Sequence, residues 1–129
     1  MNVVDSSGWI EYFAEGGNAD RFASPIRDVD NLIVPTICIY EVFKRLLMER
    51  DEDSALLSVG LMSHGREVEL DRNIAIEAAQ ISRELKLAMA DSIILATARL
   101  HNATLWTQDA HFKNMKDVKY FEKKADAAS

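Results

Sequence analysis

Four acidic residues occupy places in the sequence where a carboxylate can do chemistry. In an open parallel sheet, ligands bind beyond the carboxyl ends of the strands, so polar residues that follow apolar strand-like segments are informative. Burying a charge at a strand end is costly unless a cation or hydrogen-bond donors compensate it. The four are Asp5 after the first predicted strand, Glu41 about one turn into the helix after the second, Asp91 in the first turn of a later helix, and Asp109 soon after the fourth strand.

Convergence of these carboxylates would require a hard cation between them, since their mutual repulsion would otherwise destabilise the fold. Oxygen ligands favour Mg²⁺ or Mn²⁺ over zinc. Ions of this kind support phosphoryl transfer and phosphodiester hydrolysis. Three of the acids, taken alone, also have an ordinary explanation: Asp91 as a helix-dipole partner, Asp109 as an N-cap, and Glu41 as a solvated residue opposite an apolar stripe. Asp5 is the exception, because nothing about a buried strand end calls for a carboxylate.

Other kinds of site have little support in the composition. Cys38 is the only cysteine and lies in an apolar stretch, which excludes an intrachain disulfide and favours a small buried side chain. The three histidines, His64, His101 and His111, lack HExxH spacing, and each is expected at the surface or in the core. The net charge of −6 argues against a non-specific nucleic-acid coat.

Strands and helices alternate along the chain, which predicts a mostly parallel sheet covered by helices. Strands are predicted at 1–4, 32–34, 68–70, 103–106 and 118–121, the third at an edge because its apolar residues alternate with acids. Helices are predicted from Ser6 or Ser7 to the glycines at 16–17, through 21–26, 39–47, 54–62, 72–85 and 88–101, with a helical turn at 109–113. The helices at 39–47 and 54–62 are expected to pack as a hairpin.

One α/β domain accounts for the whole length of 129 residues. We assign residues 1–124 to it and expect a frayed tail at 125–129. No apolar stretch reaches the roughly 18 residues of a membrane span, and the N-terminus lacks the basic start of a signal peptide. A cytoplasmic protein is therefore expected.

Four segments around the acids together resemble the motifs of PIN-domain nucleases, most closely the small VapC-type toxins of toxin–antitoxin systems. The likeness runs in order from residue 1 to about residue 121. The segments are VVDSSGWI at 3–10, YEV at 40–42, ADSIILATA at 90–98 and LWTQDAHF at 105–112.

The resemblance implies a single PIN-like domain with a five-stranded, mostly parallel sheet of order 3-2-1-4-5 flanked by helices. It also implies that Asp5, Glu41, Asp91 and Asp109 form a pocket for Mg²⁺ or Mn²⁺, with water activated there as the nucleophile and no histidine base. Ser6 and Thr107 match polar positions that orient a carboxylate or a water, although Ser7 is an equal candidate for the first of them.

The implied substrate is RNA, cut internally, and the implied partners are a VapB-like antitoxin and a second copy of the chain. The apolar residues Trp9, Ile10, Phe13 and Phe43 are candidates for an antitoxin groove, although each is more often a core residue. Five basic residues are candidate phosphate contacts, but ordinary surface charge explains them better: Lys44, Arg45, Arg50, Lys113 and Lys116.

Two other functions compete with this interpretation. A haloacid-dehalogenase-like phosphatase would need a second aspartate two residues after Asp5, where Ser7 stands instead. A catalytically idle PIN-like module that grips a partner's arginine is the other alternative, and the presence of all four acids counts against it.

Overall fold

A five-stranded parallel sheet forms the centre of the protein, seen in a computed structural model that describes residues 1–124. The predicted frayed tail at 125–129 lies outside the described residues. The strands and the first four helices are β1 (Asn2–Val4), α1 (Ser6–Phe13), α2 (Ala19–Arg27), β2 (Leu32–Pro35), α3 (Thr36–Glu49), α4 (Glu52–Met62) and β3 (Arg66–Val68). The remainder are α5 (Arg72–Leu85), α6 (Met89–Leu100), β4 (Thr104–Thr107) and β5 (Val118–Tyr120), with 3-10 turns at Val29–Asn31 and Ala110–Phe112.

The sheet has the strand order β3-β2-β1-β4-β5, and every neighbouring pair is parallel. The predicted order 3-2-1-4-5 and the flanking helices are therefore confirmed. All four residues of β2 are buried, as are Val3 and Val4 of β1. Such continuous apolar runs are typical of parallel strands covered on both faces.

The helices pack in the pairs that their lengths and short connections favour. α3 and α4 form the expected hairpin, and α5 packs against α6. α6 is buried from Ser92 through Ala98, because it lies against β2, β4, α3 and α5. The N-terminal turn of α6 and the start of α1 therefore lie near the carboxyl ends of β1 and β4.

Two local predictions differ from the structure. The strand predicted at 68–70 ends at Val68, because its partner strand, β2, ends at Pro35 opposite Val68 and continues as α3. Leu70 consequently lies outside the sheet and is half exposed. The residue that caps α1 is Asp5, and neither Ser6 nor Ser7 does so.

Among residues 1–124, no helix combines the length and the apolar character that crossing a bilayer requires.

Candidate active site

Asp5 is a buried carboxylate at the junction between β1 and α1. Its side chain is only 3% exposed and caps the helix, because Oδ1 accepts a hydrogen bond of 3.0 Å from the backbone N–H of Gly8. The same oxygen accepts a bond of 2.7 Å from the Ser7 hydroxyl, and Oδ2 accepts one of 2.7 Å from Thr107. Three donors therefore fix the orientation of this carboxylate.

Thr107 links the ends of β1 and β4. Its hydroxyl donates to Asp5 and accepts a bond of 2.9 Å from the backbone N–H of Asp109, and the residue is fully buried. One hydroxyl thus holds the position of the first acid relative to the segment that carries the last. The family resemblance implied an orienting role for Thr107, and its hydroxyl does contact a carboxylate.

The two serines after Asp5 contact different acids. Ser7 donates to Asp5, while Ser6 donates a bond of 2.6 Å to Oε1 of Glu41 on α3. Both hydroxyls belong to the first turn of α1, where consecutive side chains point in different directions. Each serine therefore donates a hydrogen bond to a different carboxylate, Ser6 to Glu41 and Ser7 to Asp5.

Asp91 and Asp109 meet at a histidine. Asp91 is the third residue of α6, and Asp109 caps the 3-10 turn that follows β4. Nδ1 of His111 lies 3.4 Å from Oδ2 of Asp91 and 3.2 Å from Oδ1 of Asp109. One potential ligand atom from each of these three residues lies within 4.8 Å of the others.

The sequence predicted His111 at the surface or in the core and did not connect it with the acids; its ring is exposed. The available signal was the Asp-x-His spacing at 109–111. An aspartate that caps a short turn accepts the backbone N–H two residues later, as Asp109 does from His111 at 2.9 Å. That local bond brings the histidine to the same edge as the carboxylate.

The acids influence one another electrostatically. Burial is the main cause that raises the pKa of Asp5 from its ordinary 3.8 to about 7, its three hydrogen bonds lower that pKa, and the charge of Asp109 raises it. Burial also raises the pKa of Asp91, as do the charges of Asp109 and Glu41, while His111 lowers it. The four carboxylates are therefore close enough to act on one another through their charges, and we call them the acidic cluster. The group of ligand atoms within 4.8 Å of one another contains Asp91, Asp109 and His111 and does not include Asp5 or Glu41.

The donor set of this cluster fits a hard divalent cation. Within residues 1–124, no lysine or arginine forms an ion pair with any of the four acids, and the ion-pair distances to them come from His111. Carboxylate oxygens are the ligands that Mg²⁺ and Mn²⁺ prefer. Asp91 and Asp109, together with His111, therefore present a group of atoms that could hold a divalent ion.

Cys38 lies in the core near this cluster. It is fully buried, and its Sγ lies 3.9 Å from the carbonyl oxygen of Val4. Burial raises the pKa of the thiol well above its ordinary value, and the charges of Asp5, Glu41 and Asp91 raise it further. The expectation of a small buried side chain is confirmed, and an unreactive thiol follows from the raised pKa.

A groove between α1 and α3 leads to the acidic cluster. Ile10 contributes to it, whereas Trp9 is fully buried in the core, and Phe13 and Phe43 are half-buried. Of the basic candidates, Arg45 pairs with Glu49 and Arg50 donates to the carbonyl of Phe13. The groove is lined by Ser6, Ile10, Tyr40, Glu41, Lys44, Arg45 and Met48.

Comparison with known proteins gives a family match along most of the chain. The profile of the family described as "PIN domain" matches residues 3–118. Among proteins with curated descriptions, none matches the sequence.

Several solved structures share the fold across nearly the full length of both chains. A toxin–antitoxin complex from Klebsiella pneumoniae contains a chain that is 22% identical, with a TM-score of 0.78, covering 92% of this chain and 96% of its own. VapC20 of Mycobacterium tuberculosis, described as a sarcin–ricin loop cleaving toxin, is 12% identical with a TM-score of 0.74 and coverages of 90% and 95%. A chain of VapBC-1 from nontypeable Haemophilus influenzae is 17% identical, with a TM-score of 0.70, covering 93% of this chain and 96% of its own. At these identities the likeness shows a shared fold.

Proposed function

This chain belongs to the PIN domain family, and on that premise we propose that it is the toxin of a toxin–antitoxin system and acts as a metal-dependent endoribonuclease. The observation that carries the proposal is the approach of acids from separate segments to one end of the sheet. Asp91 and Asp109 place ligand atoms within 4.8 Å of each other, the charge of Asp109 raises the pKa of Asp5, and the charge of Glu41 raises the pKa of Asp91. Among the described residues, none of these acids forms an ion pair with a lysine or arginine. An arrangement of this kind costs stability and is expected where a cation is needed.

In this proposal the four carboxylates hold Mg²⁺ or Mn²⁺. A divalent ion bound there supplies the positive charge that activates a water and stabilises the leaving oxygen of a phosphodiester. The protein itself supplies orientation: Ser7, Gly8 and Thr107 fix Asp5, and Ser6 fixes Glu41. Positioning of metal-ligating carboxylates by such hydrogen bonds contributes to affinity and rate.

The proposed substrate is RNA and the proposed location is the cytoplasm. Lys44 lies in the groove beside Glu41, where a phosphate of a bound strand can be contacted, whereas Lys113 and Lys116 are exposed soon after Asp109. The similar M. tuberculosis protein is described as cleaving the sarcin–ricin loop, which supports an RNA target without identifying the one used here.

The proposed partners are a VapB-like antitoxin and a second copy of the chain. Two of the similar structures are described as a toxin–antitoxin complex and as VapBC-1. The groove beside Glu41 combines apolar side chains with a carboxylate, which suits an antitoxin segment that presents an apolar residue and an arginine. Large apolar side chains also remain uncovered on other helices: Leu57 is 75% exposed and Met89 is 74% exposed, which supports self-association.

Cleavage of RNA by the purified full-length chain tests the function. Total tRNA and rRNA are incubated with the protein in Mn²⁺ or Mg²⁺, with and without chelator. We expect metal-dependent internal cuts that Asp5→Asn and Asp91→Asn each reduce by at least about a hundredfold, as loss of a group central to transition-state stabilisation does.

The matched control is Asp30→Asn, since Asp30 is exposed in the turn before β2, at the opposite edge of the sheet. It should retain wild-type activity, and circular dichroism should show that all three variants fold. If antitoxin-free wild-type protein cuts no RNA with either metal, the nuclease proposal fails and the idle arginine-binding module becomes the better interpretation.

A further inference from the structure

His111 lies beside two of the four acids, Asp91 and Asp109, on the solvent side of the acidic cluster. Its ring is 71% exposed at the mouth of the site, while the side chains of Asp91 and Asp109 are only 18% and 29% exposed. The backbone N–H of His111 is bound to Asp109, which limits where the ring can lie. The imidazole is therefore held at the acids by a local turn.

The separations of the three groups suit ligands of one ion. An ion with octahedral bonds of about 2.1 Å places adjacent ligand atoms about 3 Å apart and opposite ones about 4.2 Å apart. Nδ1 of His111 lies 3.2 Å from Asp109 Oδ1 and 3.4 Å from Asp91 Oδ2, and the three ligand atoms lie within 4.8 Å of each other. The three atoms are therefore close enough together to serve as ligands of a single ion.

Imidazole changes which metal such a site prefers. Mg²⁺ is a hard ion that takes oxygen ligands and retains water, whereas imidazole suits transition metals. We infer that His111 supplies Nδ1 as a direct ligand to the divalent ion, so that this site takes Mn²⁺ in preference to Mg²⁺. The inference rests on the proposed function, since it concerns the ion held by the same acids.

Nitrogen coordination has a spectroscopic signature that needs no activity measurement. Metal-stripped full-length protein is loaded with Mn²⁺, and electron spin-echo envelope modulation reports whether a nitrogen is bonded to the ion. We expect strong nitrogen modulation in the wild type and its loss in His111→Gln. By titration, the variant should bind Mn²⁺ at least about tenfold more weakly, with Mg²⁺ affinity nearly unchanged.

The matched control is His64→Gln, because His64 is an exposed histidine just after α4, outside the acidic cluster. It should keep both the nitrogen modulation and the wild-type Mn²⁺ affinity. The wild-type spectrum tests the inference even if His111→Gln folds poorly.

The outcomes separate this inference from the function on which it rests. Mn²⁺ that binds the wild type without nitrogen modulation, and that Asp91→Asn releases, would overturn the role of His111 and leave the carboxylate site standing. Equal Mn²⁺ affinity in wild type and His111→Gln would do the same. Failure of the wild type to bind either ion would overturn both proposals.

Discussion

Asp5 serves both the fold and the candidate site with the same two oxygens. It caps α1 through Gly8 and lies in the acidic cluster, and its burial forces a conflict between the two roles. A neutral carboxyl suits the buried position, whereas a charged one suits a cation. Protonation of Asp5 favours its buried position in the fold, whereas binding of a metal ion would stabilise its charged form.

We predict that Asp5 makes the metal-free protein lose stability as the pH rises. The pKa of Asp5 rises from 3.8 to about 7 on folding. The favourable contribution of the neutral carboxyl is present in full below the unfolded pKa and is lost as the pH rises through the folded one. In chelator, the free energy of unfolding of the wild type should therefore fall relative to that of Asp5→Asn as the pH rises from 4 to 8. We expect the difference between the two proteins to change by as much as about 4 kcal/mol. Urea titrations measure this difference; parallel pH profiles for the two proteins would contradict it.

The four acids were recognised from the sequence and Thr107 from the family resemblance, but the contacts between these residues were not. Acids that follow apolar segments can be recognised because the position of a strand end is visible in the sequence. Which serine faces which acid depends on side-chain directions within one turn of α1, and the approach of His111 depends on a turn after β4. Neither geometry is encoded in hydrophobic periodicity.

At the scale of elements, the close approach of α1 to β1 and α2 positions the cap at Asp5. A Cβ on Gly8 would lie 2.6 Å from Cγ1 of Val4 and 2.8 Å from the ring of Phe22. Both neighbours are fully buried core residues that cannot move aside freely. The absence of a side chain at Gly8 is therefore what lets the helix begin against the strand.

The two glycines inside helices should respond oppositely to substitution by alanine. Gly8→Ala gains up to about 1 kcal/mol of helix propensity but incurs an overpacking cost of about 1–3 kcal/mol, so we expect net destabilisation. Gly60→Ala in α4 meets nothing within 4 Å and should stabilise by roughly 0.5–1 kcal/mol. Chemical denaturation of both variants measures the difference. Equal effects would show that packing at Gly8 does not limit α1.

The order of elements was predictable because the strands are apolar runs and the helices carry regular apolar faces. The predicted edge position of β3 is confirmed, since alternation of apolar residues with acids suits a strand paired on one side only. Its end was predicted wrongly because the partner strand β2 stops at Pro35, and a strand cannot extend beyond the strand that pairs with it. Strand limits of this kind depend on pairing and not on the local sequence.

At the scale of the whole molecule, folding brings together acidic residues that are far apart in the sequence. The chain has a net charge of −6, and residues 1–65 hold 11 acids against 5 bases. The acids of the cluster are separated by tens of residues in the unfolded chain but by a few side chains in the folded one. Any ion that binds only the folded cluster must therefore stabilise the protein.

Thermal unfolding should accordingly depend on Mn²⁺ through this cluster. At a concentration one hundred times the Kd, a single bound ion adds about 2.7 kcal/mol, which corresponds to an increase in Tm of roughly 10 °C for a domain of this size. Asp91→Asn should lose most of that increase, since it removes a ligand but leaves the core intact, whereas Asp30→Asn should keep it. NaCl at matched ionic strength controls for screening of surface charge, because screening acts on all variants alike. The same Mn²⁺-induced increase in Asp91→Asn as in the wild type would place the stabilising ion somewhere other than the acidic cluster.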